Sequence, residues 1–483
     1  MSKTTFDEAK PPITQPAFVD TPTHPETRGI ELIADSQRHG RARDLFAVWA
    51  APNVSILNFT IGATMVLLGL ELWQAFLVIV VGSLPWVLPG IIAVAGPSAG
   101  TSGSVITRAI YGIMGNKVLI ALTGWLISAV YLALNWLASS FMGADLLGQW
   151  GLTDPVVVPI AVTVVVSLVT VLVAVYGHAL ILRSYQYVTG LLLIIFLAVV
   201  AFLLPQVRWD YQAPVPLEGV GLWSAMTIGF TILASTPLSY VNSPDIARYL
   251  PRSTKPSHII AATALGGALP CIFFTIAGAL LATAVPAEAL GAGVEVALRE
   301  TLPVWFAPIL VLGVLLNTIS LNGMTTYTSS MALQAIGIPI RRIPSAILVG
   351  VIGTALTIYL VLSTNLLDAV NLMLQFLIIV SAPTMALFAT DVLLRRFRYD
   401  GLELFDETPR GRFWYHGGVS LPGAIAMIAA AITAALCLST EVWSGPIAVA
   451  LGYVDLSVPA SMIVAVVLYT VLVKSPLGGK GRP

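Results

Sequence analysis

Twelve neutral polar side chains interrupt otherwise apolar stretches of the chain: Asn53, Ser55, Asn58, Tyr131, Asn135, Ser235, Thr236, Asn317, Thr318, Ser320, Asn322 and Gln375. Amides and hydroxyls in apolar surroundings suit a neutral, planar, hydrogen-bonding ligand better than a strongly charged one. Tyr131 and Asn135 are four residues apart, so on a helix the ring and the amide point the same way. A flat molecule would stack on the ring while the amide reads its edge. Asn317 and Asn322 are five apart, about 140° on an unbroken helix, so they cannot both face one ligand unless Gly323 marks a distortion. Any one of these amides can instead bond a neighbouring helix. An enzyme would need a nucleophile, an acid–base pair or a metal cluster, and no HExxH, GxSxG or equivalent constellation is present. The run Gly96–Gly103 lacks the Lys-Ser/Thr ending of a phosphate loop and reads as a turn.

The elements that position these residues follow from composition. Of 483 residues, 57% are hydrophobic and 10% charged, with a mean hydropathy of +0.89. Soluble domains carry about 25% charge, so this chain cannot solvate the surface of several water-soluble domains and reads as an integral membrane protein. The 24 basic residues balance 24 acidic ones, which excludes the basic footprint of a nucleic-acid partner. Cys271 and Cys437 lie in apolar runs and make neither a disulfide framework nor a zinc site. No cofactor is indicated and no protein partner is indicated; the expected partners are a small neutral heterocycle and the lipid bilayer.

A bilayer core of about 30 Å needs roughly 20 apolar residues per helix. Twelve such runs occur, near 45–70, 73–95, 118–143, 156–176, 185–205, 221–242, 258–285, 305–333, 344–363, 366–394, 421–438 and 457–473. They are apolar all round, which excludes the alternating pattern of a β-barrel. With the N-terminus inside, only Arg208 and Arg299 among the Lys and Arg residues fall outside, the asymmetry expected of a correct span count. The termini, 1–44 and 474–483, are then cytoplasmic tails of a multi-pass protein in a plasma membrane of bacterial inner-membrane type. Residues 1–44 carry no apolar core and do not resemble a signal peptide. The first 27, rich in Thr and Pro, read as a disordered tail. The five histidines all fall on the inner side, and no ionisable residue lies deep in a span; Glu71, Asp145, Asp245, Asp368 and Asp391 sit at predicted ends.

Helix breakers narrow the choice of site. Pro52 and Gly62 flank the polar stretch of the first span, and Pro237 follows Ser235 and Thr236 and precedes Tyr240 in the sixth. Interrupted helices at corresponding positions of two halves mark the midplane site of a transporter. Spans one to five (45–205) and six to ten (221–394) then form inverted repeats, with two extra helices at 421–473. Ser243-Pro244-Asp245 with Arg248 predicts a capped short helix after the sixth span. A channel would need a continuous polar lumen, and the polar residues are too few and cluster at one depth.

At these residues the chain resembles the nucleobase:cation symporter family, which includes purine-cytosine, cytosine and allantoin permeases. The similarity runs through RGIELIADSQRHGRARDLFAVWAAPN at 28–53, GPSAGTSGSVITRAIYG at 96–112, SPDIARYLP at 243–251, FLIIVSAPTMALFATDVLL at 376–394 and LGYVDLS at 451–457. The Asp-x-x-Arg-Tyr-Leu-Pro element is the most specific match. The resemblance implies an all-α membrane protein of twelve transmembrane helices, with the five-plus-five inverted-repeat fold of amino-acid symporters plus two C-terminal helices. It also implies import of a nucleobase with a cation by alternating access. By position, the family's substrate residues fall on Ser55, Tyr131, Asn135, Thr236 and Asn322, with Tyr240 the remaining aromatic of the sixth span. The family's third-span aromatic is often Trp and is Tyr131 here. Its sodium ligands fall on Ala51, Val54, Gly313, Leu316 and Asn317, and Leu316 offers no side-chain oxygen, which favours a proton over sodium as coupling ion. Pro52, Gly62, Pro237, Asp245 and Arg248 are the expected structural and gating residues. The expected activity is proton-coupled import of cytosine or purines; the alternative is sodium-coupled import of hydantoin, allantoin or a vitamin-like heterocycle.

Overall fold

The computed structural model describes residues 20–286, 289–290, 294–363, 366–440 and 442–483, with backbone alone at 295–296, 299–300, 366–376 and 480. Gln375 and Asp368 thus have no described side chain. The long helices in chain order are α1 (Asp44–Asn53), α2 (Ile56–Leu67), α3 (Leu72–Ser83), α4 (Val87–Ala93), α5 (Ile127–Gly148), α6 (Val157–Tyr176) and α7 (His178–Leu203). The second half comprises α8 (Gly219–Ser239), the short α9 (Pro244–Ala247), α10 (Pro256–Ala284), α11 (Ala307–Ala335), α12 (Arg342–Ser363), α13 (Leu366–Leu394), α14 (Leu421–Cys437) and α15 (Ser457–Lys474). Among the described residues ten helices are long and apolar enough to cross a membrane, and the bent pair α1 and α2 makes an eleventh if it is one span. With the shorter apolar α14 this is compatible with the expected twelve.

Two groups of spans enclose the middle of the molecule. Helices α5, α6, α11 and α12 touch one another in every pairing, which makes spans three, four, eight and nine a scaffold. Helix α10 packs on α1, α2, α3 and α4, and α8 on α2, α3 and α4, which gathers spans one, two, six and seven into a bundle. Each group contains two spans and their counterparts five further along, as a five-plus-five repeat requires. The Asn317 amide of the eighth span crosses from the scaffold to the first span of the bundle.

The first span is broken where expected. Pro52 has no N–H to continue the helix and its ring crowds the preceding turn, so α1 ends at Asn53 and α2 leaves at an angle of 57°. Ser55, extended at φ −142°, starts α2 by accepting the Asn58 N–H, an N-cap arrangement. Gly62 plays a different part from the helix break expected of it. It lies within continuous α2, where an added Cβ would sit 1.8 Å from the Thr275 carbonyl oxygen of α10. Gly278 of α10 returns the contact, its Cβ position 2.1 Å from the Phe59 oxygen. Small residues permit this close backbone crossing. Gly62→Val is therefore expected to displace α10 and cost at least the 1–3 kcal/mol of ordinary overpacking, read as a lower thermal midpoint of the purified protein.

The sixth span also departs from expectation. Helix α8 runs through Pro237 and stops only at Ser239, with the break at Tyr240–Ser243 before α9. Pro237 has no N–H to reach the carbonyl four residues back, which weakens the last turn, but the helix continues two residues beyond it and is not cut at mid-span. The expected short helix after it forms, with Pro244 in its first turn, but without the expected cap: the Ser243 hydroxyl accepts no N–H of the helix and donates to Pro89 O at 2.6 Å.

Residues 20–27 correct the disordered reading of the first 27; residues 1–19 fall outside the described residues. Glu26 is 1% exposed. Its Oε1 accepts from Arg248 Nη2 at 3.2 Å, Tyr249 OH at 2.7 Å and Tyr327 OH at 3.1 Å, and its Oε2 from the His178 N–H at 2.8 Å. Low apolar content signals disorder only where burial of apolar surface must do the ordering; here a carboxylate meets a buried guanidinium. Asp20 joins the same surface through His178 Nδ1 at 2.7 Å and His39 Nε2 at 3.1 Å. Burial alone would raise the Asp20 carboxyl, but hydrogen bonds from His178 and His39 and their charge hold it below its ordinary value. The hydrogen bond to Asp20 raises His39 above its ordinary 6.5 against partial burial. A depressed acid stabilises above its unfolded pKa and a raised base below its own. Docking of residues 20–39 is thus expected to be strongest between about pH 4 and 6.5, to weaken as pH rises through the elevated His39 value, and to weaken again in strong acid. Hydrogen exchange of this segment at pH 5.5 and pH 8.5 measures it.

Candidate substrate-binding site

The break in the first span frees the carbonyls at the C-terminal end of α1. Ala50 O accepts the Val54 N–H at 3.0 Å. The Asn317 amide donates to Ala51 O at 3.0 Å and Pro52 O at 3.2 Å, and the Asn58 amide donates to Asn53 O at 2.6 Å. The Asn53 amide turns back to Trp49 O at 2.8 Å. Flipping Asn317 would press its oxygen against two carbonyl oxygens, so this network fixes the amide orientation. Of the residues matched to sodium ligands, Ala51 and Asn317 therefore hold each other. Val54 spends its N–H within the break, and Gly313 offers its open side to Ile195 and Phe196 of α7.

Helix α11 is unbroken through Gly323, so Asn322 points away from Asn317, as five-residue spacing dictates. It faces the third span, where Asn135 Nδ2 donates to Asn322 Oδ1 at 3.0 Å and Asn322 Nδ2 donates to Leu132 O at 3.0 Å. Asn322 is fully buried while Asn135 is half-buried. Asn322 thus orients the Asn135 amide, whose carbonyl oxygen accepts from no group among the described residues. One turn of π-helix at Ala121–Leu126 precedes this stretch, a distortion that often marks functional sites.

Four donors are buried without a hydrogen-bond partner on the spans that carry the expected site: Tyr131 OH, Thr236 Oγ1, Trp49 Nε1 and Trp86 Nε1. They come from the third, sixth, first and second spans. The Tyr240 ring contacts Trp49 edge-on at 5.0 Å and Trp86 at 5.3 Å between centroids, and Trp49 meets Trp86 at 5.9 Å. Buried polar atoms are normally satisfied, so orphaned donors beside an aromatic cluster are groups able to receive a flat acceptor-bearing ligand. Tyr131 and Thr236 keep free polar atoms; Tyr240 joins the aromatic wall; Ser55 is used as a helix cap. Trp86 was not singled out by sequence, and the signal was slight, a tryptophan between Pro85 and Pro89. A small cavity of about 30 Å³, room for about one water, has a polar lining that includes Ser104, Ser128, Ser239, Asn242 and Thr328.

The comparisons with known proteins agree with this architecture. The family described as permease for cytosine/purines, uracil, thiamine, allantoin matches residues 32–458. The chain belongs to this permease family. The permease is 25% identical to the putative purine-cytosine permease YxlA of Bacillus subtilis over 94% of this chain and 96% of that protein. It is 22% identical to the purine-cytosine permease FCY2 of Saccharomyces cerevisiae over 87% and 80% of the respective chains. Among solved structures, Mhp1, a nucleobase-cation-symport-1 family transporter in a closed conformation with bromovinylhydantoin bound, aligns with a TM-score of 0.74 at 19% identity, covering 93% of this chain and 96% of its own. MhsT in complex with L-phenylalanine aligns at 0.53 with 16% identity, covering 90% and 98%. The permease thus has the all-helical inverted-repeat fold of these transporters and is a multi-pass membrane protein.

Proposed function

We propose that this permease imports an uncharged nucleobase, cytosine or a purine, together with a proton by alternating access across the plasma membrane, with both termini in the cytoplasm. The single observation that carries the substrate class is the set of orphaned donors, Tyr131 OH, Thr236 Oγ1, Trp49 Nε1 and Trp86 Nε1, with Asn135 one helical turn from Tyr131. Nucleobases present ring nitrogens and carbonyl oxygens that accept from such donors, an amino group that donates to an amide oxygen, and a flat face for an aromatic wall. No formal charge among these groups would select a charged cargo.

The ion assignment is supported by Asn317. Unwound carbonyls at a half-helix C-terminus are the usual seat of a coupling sodium, and here an amide already donates to two of them. A hard cation wants several oxygens; it would have to displace both hydrogen bonds and face the amide N–H. This weighs against the sodium-coupled hydantoin or allantoin reading. The Lys and Arg asymmetry supports the orientation.

Uptake of labelled cytosine into cells, with unlabelled purines, hydantoin and allantoin as competitors, tests the substrate. A protonophore and replacement of external sodium test the ion. Saturable uptake abolished by the protonophore and indifferent to sodium is expected. Uptake that requires sodium, or competition by hydantoin alone, would overturn the assignment.

A further inference from the structure

Proton symport needs a group that gains and loses the proton, and this inference rests on that reading. The buried carboxylates among the residues with described side chains differ sharply in how they are satisfied. Glu26 receives Arg248, two tyrosines and a backbone N–H. Asp391 receives Arg395 at 2.8 Å and the hydroxyls of Tyr399 and Tyr469, both at 2.7 Å. Asp455 receives the Ser439 and Ser457 N–H groups and the Ser457 hydroxyl. Asp245 is the exception. Its side chain is 0% exposed, Oδ1 accepts the Gly103 N–H at 2.6 Å, and Oδ2 has no partner.

The nearest cations do not bond to it. Arg248, one turn on, sends Nη1 to Gly29 O and Nη2 to Glu26 and Tyr327, and its Nε has no partner. Arg342 donates through Nη2 to Ala174 O and lies over the Tyr327 ring, with its Nε and Nη1 unpartnered. An ionised carboxylate buried with one oxygen bare costs several kcal/mol, and a proton on that oxygen removes the penalty.

Position adds the coupling. Asp245 follows the sixth span, which belongs to the bundle, and Gly103 lies on the connection from the second span, Leu72–Ala99, to the third span of the scaffold. At the end of the second span, Gly96 is laid so closely on α9 that a Cβ there would sit 2.5 Å from Pro244 O. The small polar cavity is walled by Gly103 and by Asn242, and Asn242 O accepts the Asp245 N–H at 2.9 Å. Both residues that hold Asp245 thus line this one small polar cavity.

We propose that Asp245 is the proton-binding site of this permease: Oδ2 takes up one proton while the Gly103 contact is closed and releases it when bundle and scaffold part at that contact. The step forms one O–H bond and breaks it again, so one positive charge crosses with each neutral base.

The test uses the full-length protein in proteoliposomes. Asp245→Asn keeps the size and an acceptor for Gly103 but cannot lose a proton. It is expected to abolish accumulation of labelled cytosine driven by an inwardly directed proton gradient, while exchange of labelled for unlabelled cytosine persists and loses its pH dependence. Gradient-driven accumulation by Asp245→Asn at wild-type level would overturn the assignment. If that variant does not fold, Asp245→Glu decides: accumulation with a displaced pH profile supports the site, and an unaltered profile overturns it. Wild-type accumulation indifferent to the proton gradient would sink the proton-symport reading itself, an outcome distinct from failure of Asp245 alone.

Discussion

Asn317→Leu is expected to reduce transport more than tenfold and to lower the thermal midpoint of the purified permease by several degrees. The substitution keeps the branched shape but removes both donors to the broken first span, leaving Ala51 O and Pro52 O without these partners. Each unsatisfied carbonyl costs about 1–3 kcal/mol, and both lie at the joint on which the two half-helices turn. Asn317→Ser supplies the sharper contrast, because it exchanges an N–H donor for an oxygen beside the same carbonyls. Thermal unfolding in sodium chloride against choline chloride is expected to show stabilisation by sodium in Asn317→Ser and none in the wild type. Sodium stabilisation of the wild-type protein would mean that the amide does not stand in a cation's place.

The second large effect is expected at Asn135. Asn135→Ala should raise the KM for uptake roughly 10–100-fold at unchanged membrane abundance, since a deleted amide leaves ligand groups unpaired at about 1.4 kcal/mol per factor of ten. Asn322→Ala should raise it by less, through loss of the bond that holds the Asn135 amide. The two changes should not add, because after the first there is nothing for the second to orient. A wild-type KM in Asn135→Ala would reduce this pair to a contact between helices, and strict additivity would separate their roles.

Legibility in the sequence followed how local each cause is. The broken first span was readable because Pro52 and Ser55 act within one turn. The divergence of Asn317 and Asn322 was readable because helical geometry alone sets it. Gly62 was misread as a break because a glycine in a helix looks the same whether it bends the chain or admits a neighbour; only the Thr275 carbonyl across the crossing distinguishes them. Pro237 was placed too early as a break because the cost of a proline depends on how much helix remains to be disrupted. Glu26 was missed because its partners, Arg248, Tyr249 and Tyr327, lie more than 200 residues away in the chain. The same distance hides the tie between Asn317 and the Ala51 carbonyl.

By itself the sequence determined that this chain lives in a bilayer, roughly where it crosses, and that its interior polarity is neutral, since hydropathy, charge asymmetry and residue type are properties of each segment alone. The tertiary structure decided which of those polar groups are already satisfied. Ser55, Asn53, Asn58 and Asn317 complete a broken helix, whereas Tyr131, Thr236 and Asp245 keep atoms without partners. Satisfaction of a hydrogen bond is a relation between two groups, and here the partners are brought together only when bundle and scaffold pack.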